Sequence, residues 1–194
     1  MESVYRSNVF SVGDRQLVQL KTKRLLLRPP TMDDAPSIQQ LVSAHEIALN
    51  TLLIPHPYPE GGAAEWLSRQ GKNPNDHTFA ITLRKRRDLI GAIGLEVKPE
   101  HDRGEIGYWI GVPYWGLGYM TEAARAVVGW AFEELALNRI FAQHFTRNPA
   151  SGRVLQKIGM RHEGTLRQHN KKWDEYLDVE VYGIVRSEWP ARVQ

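Results

Sequence analysis

The sequence predicts an α/β fold: a mixed, mostly antiparallel sheet of about seven strands, flanked by helices. Three observations carry this reading. The runs 77–84, 89–97 and 105–112 follow one another closely, and the first two are joined by the basic turn Arg84-Lys85-Arg86-Arg87, which makes an antiparallel meander. In the segment 118–137, Ala124, Val127, Val128, Ala131 and Leu135 fall on one helical stripe with Glu133 and Glu134 off it, giving the longest helix. Along the whole chain the elements run β-α-(broken α)-β-β-β-α-β-α-β-β, an order that alternates the two types.

The 194 residues suit one compact domain, placed at 21–190 after an N-terminal extension, 1–20. There is no cysteine, which excludes disulfides, thiolate metal sites and an acyl-cysteine intermediate. The seven histidines do not form a metal-ligand spacing, so no metal is expected. No apolar run is long enough to span a bilayer and the N-terminus lacks a signal-peptide core, so the expected location is cytoplasmic, away from membranes. A formal charge of +3 and a basic run without interleaved aromatics give little reason to expect nucleic acid.

Residues 1–20 are polar and irregular and read as an edge or a dimer arm. Arg24-Leu25-Leu26-Leu27-Arg28 reads as a short buried strand ended by Pro29-Pro30. Thr31, followed three residues later by Asp34, is an acidic variant of the capping box, and Ile38, Leu41 and Val42 continue at helical spacing. Between 44 and 71 a helical region is broken by Pro55-His56-Pro57-Tyr58-Pro59, which reads either as a substrate-side lid or as a surface connection. After the long helix come a strand at 139–146, a helix at 149–158 ended by Gly159, and strands near 161–168 and 176–186. Apolar residues of the extension and the late hairpin would be covered in a homodimer.

The most informative stretch is 112–123, a strand that passes through Gly116 and Gly118 into a helix. Glycines let backbone N–H groups turn toward a ligand, and a helix N-terminus favours an anion, so this reads as a phosphate cradle. A dinucleotide fingerprint G-x-G-x-x-G would need glycine at Thr121, which speaks against a Rossmann site. The chain has no G-x-x-x-x-G-K-[ST], which speaks against a P-loop.

Trp115-Gly116-Leu117-Gly118-Tyr119-Met120 resembles the pyrophosphate loop Q/R-x-x-G-x-G/A of the GNAT N-acetyltransferases, departing from it at Trp115 and Met120. Gly116 to Ala123 further resembles the G-x-G-Y-x-T-E-A of the ribosomal-protein-alanine acetyltransferase (RimJ/RimL-like) branch. The likeness covers about 20–189 and implies a GNAT fold with splayed central strands. It also implies acetyl-CoA as cosubstrate and direct transfer of acetyl to a primary amine. The acceptor could be a protein N-terminus or a small-molecule amine such as an aminoglycoside, a polyamine or an amino sugar, and a non-catalytic CoA sensor is the rival from another class.

By the same likeness, Trp115, Gly116, Leu117, Gly118, Tyr119 and Met120 hold the CoA pyrophosphate, while Ile110, Gly111 and Val112 pair with the pantetheine arm. Asn148 and Ser151, in a segment similar to N-x-x-S with a later K-x-G-F/M, reach that arm. Ser151 then donates a proton to the leaving thiolate, although both residues also suit capping of the helix they begin. Glu105, in Glu105-Ile106-Gly107-Tyr108-Trp109, is the expected general base, with a structural acid tied to Arg103 or to a neighbouring strand as the alternative. The branch's second acid is replaced by Asn170, beside which His169 is a further candidate. Tyr108, Trp109, Trp115 and Trp173 could line the acceptor site.

Overall fold

The computed structural model describes residues 5–12 and 15–190. Among the described residues nine strands form one sheet in the order β1-β2-β3-β4-β5-β6-β7-β9-β8. These are β1 (Arg6–Val12), β2 (Arg15–Lys21), β3 (Leu25–Arg28), β4 (Asp76–Leu83), β5 (Leu89–Lys98), β6 (Arg103–Ile110), β7 (Arg139–Phe145), β8 (Arg161–Lys172) and β9 (Glu175–Val185). Every pair is antiparallel except β6 with β7. The meander, the mixed sheet and the flanking helices are as the sequence indicates.

Two strands go beyond the sequence-based expectation. Residues 6–12 and 15–21 form a hairpin that extends the sheet edge, joined to β3 through Leu20↔Leu27 and Lys21↔Leu26. The polar composition hid it, because an edge strand keeps polar side chains on its solvent face. The reading of this segment as an edge fits; its description as irregular does not.

Among the described residues five α-helices accompany the sheet: α1 (Ala35–Val42), α2 (His45–Asn50), α3 (Gly62–Arg69), α4 (Tyr119–Glu133) and α5 (Pro149–Lys157). The turn into α1 is fixed by Asp34, whose carboxylate accepts from the Thr31 N–H at 2.8 Å and from both Arg28 terminal nitrogens at 2.8 and 2.6 Å. Burial pushes that carboxyl upward, but the Arg28 and Thr31 hydrogen bonds outweigh it and hold the group below the ordinary carboxylate range. The prolines at 55, 57 and 59 separate α2 from α3, as the sequence requires.

Helix α4 is more deeply embedded than a one-sided stripe implies. Residues 126–132 are all buried. One side packs on the sheet, where Trp130 meets His77 and Phe79 edge-on, and the other is covered near Gly129 by Tyr5 and Trp189. Sequence periodicity cannot anticipate a cover supplied by the two ends of the chain.

The arrangement that positions the site is the parting of β6 from β7. Their parallel pairing runs from Arg103↔Arg139 to Ile106↔Ala142 and stops there. Beyond it β6 stays with β5 as far as Gly91↔Ile110, and β7 stays with β9 as far as Phe145↔Val179. Each strand follows its outer neighbour, and a V opens between them.

Candidate active site

A cavity of about 330 Å³ lies in this V, walled by β6 and β7 and by the starts of α4 and α5, and closed at one end by α2. At its head, Gly116 and Gly118 take φ of 74° and 75°, the left-handed region in which a side chain is strained. Gly118 caps α4, so the N–H groups of Tyr119, Met120 and Thr121 are left without intrahelical partners, and all three residues line the cavity. A Cβ at Gly116 would meet nothing within 4 Å, so the loop's outer face is open to an approaching ligand.

Arg24 sets the loop's inner face. Its Nη1 donates to the Leu117 carbonyl at 2.9 Å and its Nε to Glu122 at 2.6 Å, and its guanidinium lies 4.5 Å over the Tyr119 ring. With the carbonyl held inward, the neighbouring N–H groups are left for the cavity side. Glu122 would oppose an anion at this helix end, but it also accepts from Thr22 and the Arg24 N–H. Burial raises its pKa, and these contacts outweigh that and lower it overall. Met120, the departure from the loop pattern, is buried in the core, where it packs without removing a backbone donor.

On β6 the direction of the backbone can be read from one bond. The Gly111 N–H donates to Ile90 of β5 at 2.8 Å. Because backbone groups alternate along a strand, Tyr108 and Ile110 turn theirs the other way, into the V. The Ile110 carbonyl is already taken by the Trp115 indole N–H at 2.7 Å. The Tyr108 N–H and C=O and the Ile110 N–H are therefore the groups placed to pair with an extended ligand. The expected span Ile110 to Val112 is displaced toward the sheet: Gly111 faces β5, Val112 begins a turn, and neither lines the cavity.

On the α5 side, the Asn148 side-chain oxygen accepts from the Ser151 N–H at 3.2 Å and so caps the helix. The Ser151 hydroxyl is not used for capping: its oxygen is 2.9 Å from the Tyr108 phenol oxygen. Arg153 and Lys157, one turn apart on α5, add positive charge along the same wall. At the end of β7, the His144 Nδ1–H donates to the Phe145 carbonyl at 2.8 Å. Its Nε2 is buried without a hydrogen-bond partner in the cavity wall.

The structure thus brings Ile110, Trp115, Gly116, Gly118, Tyr119, Met120, Asn148 and Ser151 together around one cavity. It does not bring Gly111, Val112 or Leu117 to the lining, and Glu105 stands apart. Three residues from Tyr108, Glu105 points to the opposite face of β6, beside the last paired residues of β6 and β7 and opposite Glu96. Burial, with the Glu96 charge adding to it, raises its pKa above the ordinary glutamate value. His169 lies on an exposed, irregular part of β8, between Leu166 and Asn170. Trp173 sits at the β8–β9 turn, stacked 6.0 Å from His45.

Sequence reasoning missed Glu46, Asn50 and Thr51 of the α2 region, Gln143 and His144 of β7, and Arg153. No local signal marks the first three, because only the folding of α2 across the V brings them there. Arg153 was within reach: it precedes Lys157 by four residues in the same segment as Asn148 and Ser151.

Residues 24–161 match the model of an acetyltransferase (GNAT) domain, well over half of the chain. The chain belongs to the GNAT acetyltransferase family. It is 34% identical over 175 residues to an uncharacterized N-acetyltransferase, YoaA, of Bacillus subtilis, spanning 86% of this chain and 96% of that one. It is 31% identical over 102 residues to the ribosomal-protein-serine acetyltransferase of Escherichia coli, spanning 52% and 57%. Among solved structures, a GNAT-family acetyltransferase from Bacillus anthracis superposes with a TM-score of 0.79 at 28% identity, covering 88% of this chain and 99% of that one. As a GNAT enzyme the protein is an N-acetyltransferase, and acetyl-CoA is its cosubstrate. The cavity's chemistry is compatible with that molecule: backbone donors at the Gly116–Gly118 loop, two cations on α5, and free strand groups between the parted strands.

Proposed function

We propose that this enzyme transfers acetyl directly from acetyl-CoA to the single primary amine of its acceptor, a protein N-terminus being the class favoured. The observation that carries this is the charge of the cavity. Among the described lining residues Glu46 is the one carboxylate, and it stands at the α2 end, away from the pyrophosphate loop and the α5 cations. One carboxylate suits one ammonium, whereas a polyamine or an aminoglycoside calls for several. The likeness to a ribosomal-protein acetyltransferase supports the same class.

In this reading the N–H groups of the V hold the pantetheine and polarise the thioester carbonyl, an effect worth about 3 kcal/mol per well-placed donor. Ser151 donates to the sulfur as it leaves. The amine's proton goes to a carboxylate. Glu105, placed where the strands begin to separate but outside the cavity lining, takes that proton through an intervening water, with a pKa that burial raises above the ordinary glutamate value, and Glu46 holds the incoming ammonium. No cysteine is present, so no acyl-thioenzyme intervenes. The acceptors of this reading are cytoplasmic; among the described residues no helix is long and apolar enough to cross a membrane.

The test is acceptor-dependent release of the CoA thiol, measured with N-terminal peptides, polyamines, aminoglycosides and amino sugars. Release with peptides and none with the polycations supports the reading. Preferred turnover of spermidine or of an aminoglycoside would overturn the acceptor class, and acetyl-CoA binding with no turnover on any amine would point to a sensor.

A further inference from the structure

Tyr108 and Ser151 lie 43 positions apart and reach each other across the cleft, from the inner wall of β6 to the first turn of α5. Their hydroxyl oxygens are 2.9 Å apart, and the phenol oxygen is 3.3 Å from the Ser151 carbonyl. Both residues line the cavity. We propose that Tyr108 is a positioning residue for acetyl transfer, donating its hydroxyl hydrogen to Ser151 Oγ so that the serine hydrogen is aimed into the cleft at the departing sulfur. The inference rests on Ser151 as the donor to sulfur and adds the group that orients it.

Three features support the assignment. A serine hydroxyl has one hydrogen and free rotation, so an unconstrained Ser151 would spend that hydrogen on whichever acceptor is nearest. Here the helix cap is made by Asn148, leaving the phenol as the partner that fixes the rotor. The 2.9 Å contact to Oγ is compatible with the phenol as donor, the direction that leaves the serine hydrogen free for the cleft, and the carbonyl at 3.3 Å is the phenol's longer alternative acceptor. Finally, burial, only partly offset by the Ser151 hydrogen bond, pushes the phenol up to about 12, so it stays protonated and remains a donor throughout.

The step balances without a second proton carrier. Nitrogen attacks the carbonyl carbon, the C–S bond breaks, and its electron pair goes to sulfur, which accepts the Ser151 hydrogen bond. The proton lost by the acylated nitrogen passes to the carboxylate base and from it, through solvent, to the thiolate, and Tyr108 and Ser151 end as they began. A polarised donor to the developing thiolate acts in the transition state more than on the bound thioester, so its loss falls on kcat.

The experiment compares Tyr108→Phe, Ser151→Ala and the double variant by kcat, by KM for acetyl-CoA and by direct CoA binding. Ser151→Ala is expected to lower kcat about 100-fold, in the range of a general-acid group. Tyr108→Phe is expected to lower it about tenfold, the weight of one neutral hydrogen bond, with CoA affinity unchanged. The double variant should equal Ser151→Ala alone, because Tyr108 acts only through the serine. A kcat for Tyr108→Phe equal to the parent, losses that multiply, or a parallel loss of CoA affinity would each overturn the proposal and leave the phenol as a strut between β6 and α5. An unaffected Ser151→Ala would overturn the role of Ser151 itself. Should Tyr108→Phe fail to fold, 3-fluorotyrosine incorporated at 108 keeps the ring and donates more strongly. A faster single-turnover rate supports the proposal, and an unchanged one counts against it.

Discussion

The ammonium of Lys172, at the end of β8, lies 2.7 Å from the carbonyl oxygen of Ile54, 118 positions earlier in the chain. It also donates to the carbonyls of Thr51 and Leu52, and Arg147 reaches the Leu49 carbonyl at 2.7 Å. Two cations thus gather the backbone carbonyls in the last turn of α2 and just after it, where a helix leaves them unpaired. This fixes the segment carrying Asn50 and Thr51 over the cavity. Lys172→Met should leave these partly buried carbonyls without their donor, at about 1 kcal/mol. The expected result is a lower Tm and an acceptor KM raised several-fold, with acetyl-CoA KM unchanged; equal effects on both KM values would argue against a substrate-side clamp.

The same residue gives a pH dependence. Burial, with the Arg147 charge adding to it, lowers the Lys172 pKa from 10.5 to about 8. Between these values the unfolded chain holds a proton that the folded chain has released, so this group makes stability rise with pH from about 8. Stability measured by denaturant titration at several pH values should show the parent gaining on Lys172→Met across that window. A flat difference would mean the ammonium stays charged against its carbonyl cage.

Arg24 is expected to matter for the cosubstrate although it does not line the cavity. Arg24→Ala frees the Leu117 carbonyl and strips Glu122 of its partner at the pyrophosphate loop. A KM for acetyl-CoA raised about tenfold, equivalent to about 1.4 kcal/mol, is predicted, with the acceptor KM little changed. Steady-state kinetics in both substrates decides it, and a purely structural arginine would show only a Tm change.

Gly118 is held at φ 75° as the cap of α4. Gly118→Ala would strain that conformation by about 1–2 kcal/mol, and the first-turn donors would turn away. Weaker CoA binding measured by calorimetry is the expected readout, and retained affinity would show that the loop is not set by this residue.

Glu105 predicts opposite changes in activity and stability. Its folded pKa is raised, so its contribution to stability is full at acid pH and is lost as pH rises through the folded value. At neutral pH the ionised group is therefore a cost that Glu105→Gln removes. A base with such a pKa also places the acid limb of kcat above the usual glutamate range. Glu105→Gln should raise Tm while lowering kcat about 100-fold and flattening that limb. Unchanged kcat would transfer the base role to Glu46 or water.

Much of this protein was legible in the chain itself. The Gly116–Gly118 turn into an apolar helix is legible because glycine most readily adopts the left-handed backbone that the turn uses. The Asn148–Ser151 spacing starts α5, and the absence of cysteine rules out an acyl-cysteine intermediate. What tertiary structure alone decided is everything carried by contacts between distant segments. The N-terminal hairpin becomes two sheet strands only because Leu20 finds Leu27. Glu46 and His144 reach one cavity because α2 crosses a gap that β6 and β7 open, and Gly111 is excluded because Ile90 claims its N–H. Tyr108 acquires a role from a hydroxyl 43 residues away. Local sequence encodes backbone preference and hydrophobic period, whereas these roles depend on which groups a neighbour has already satisfied.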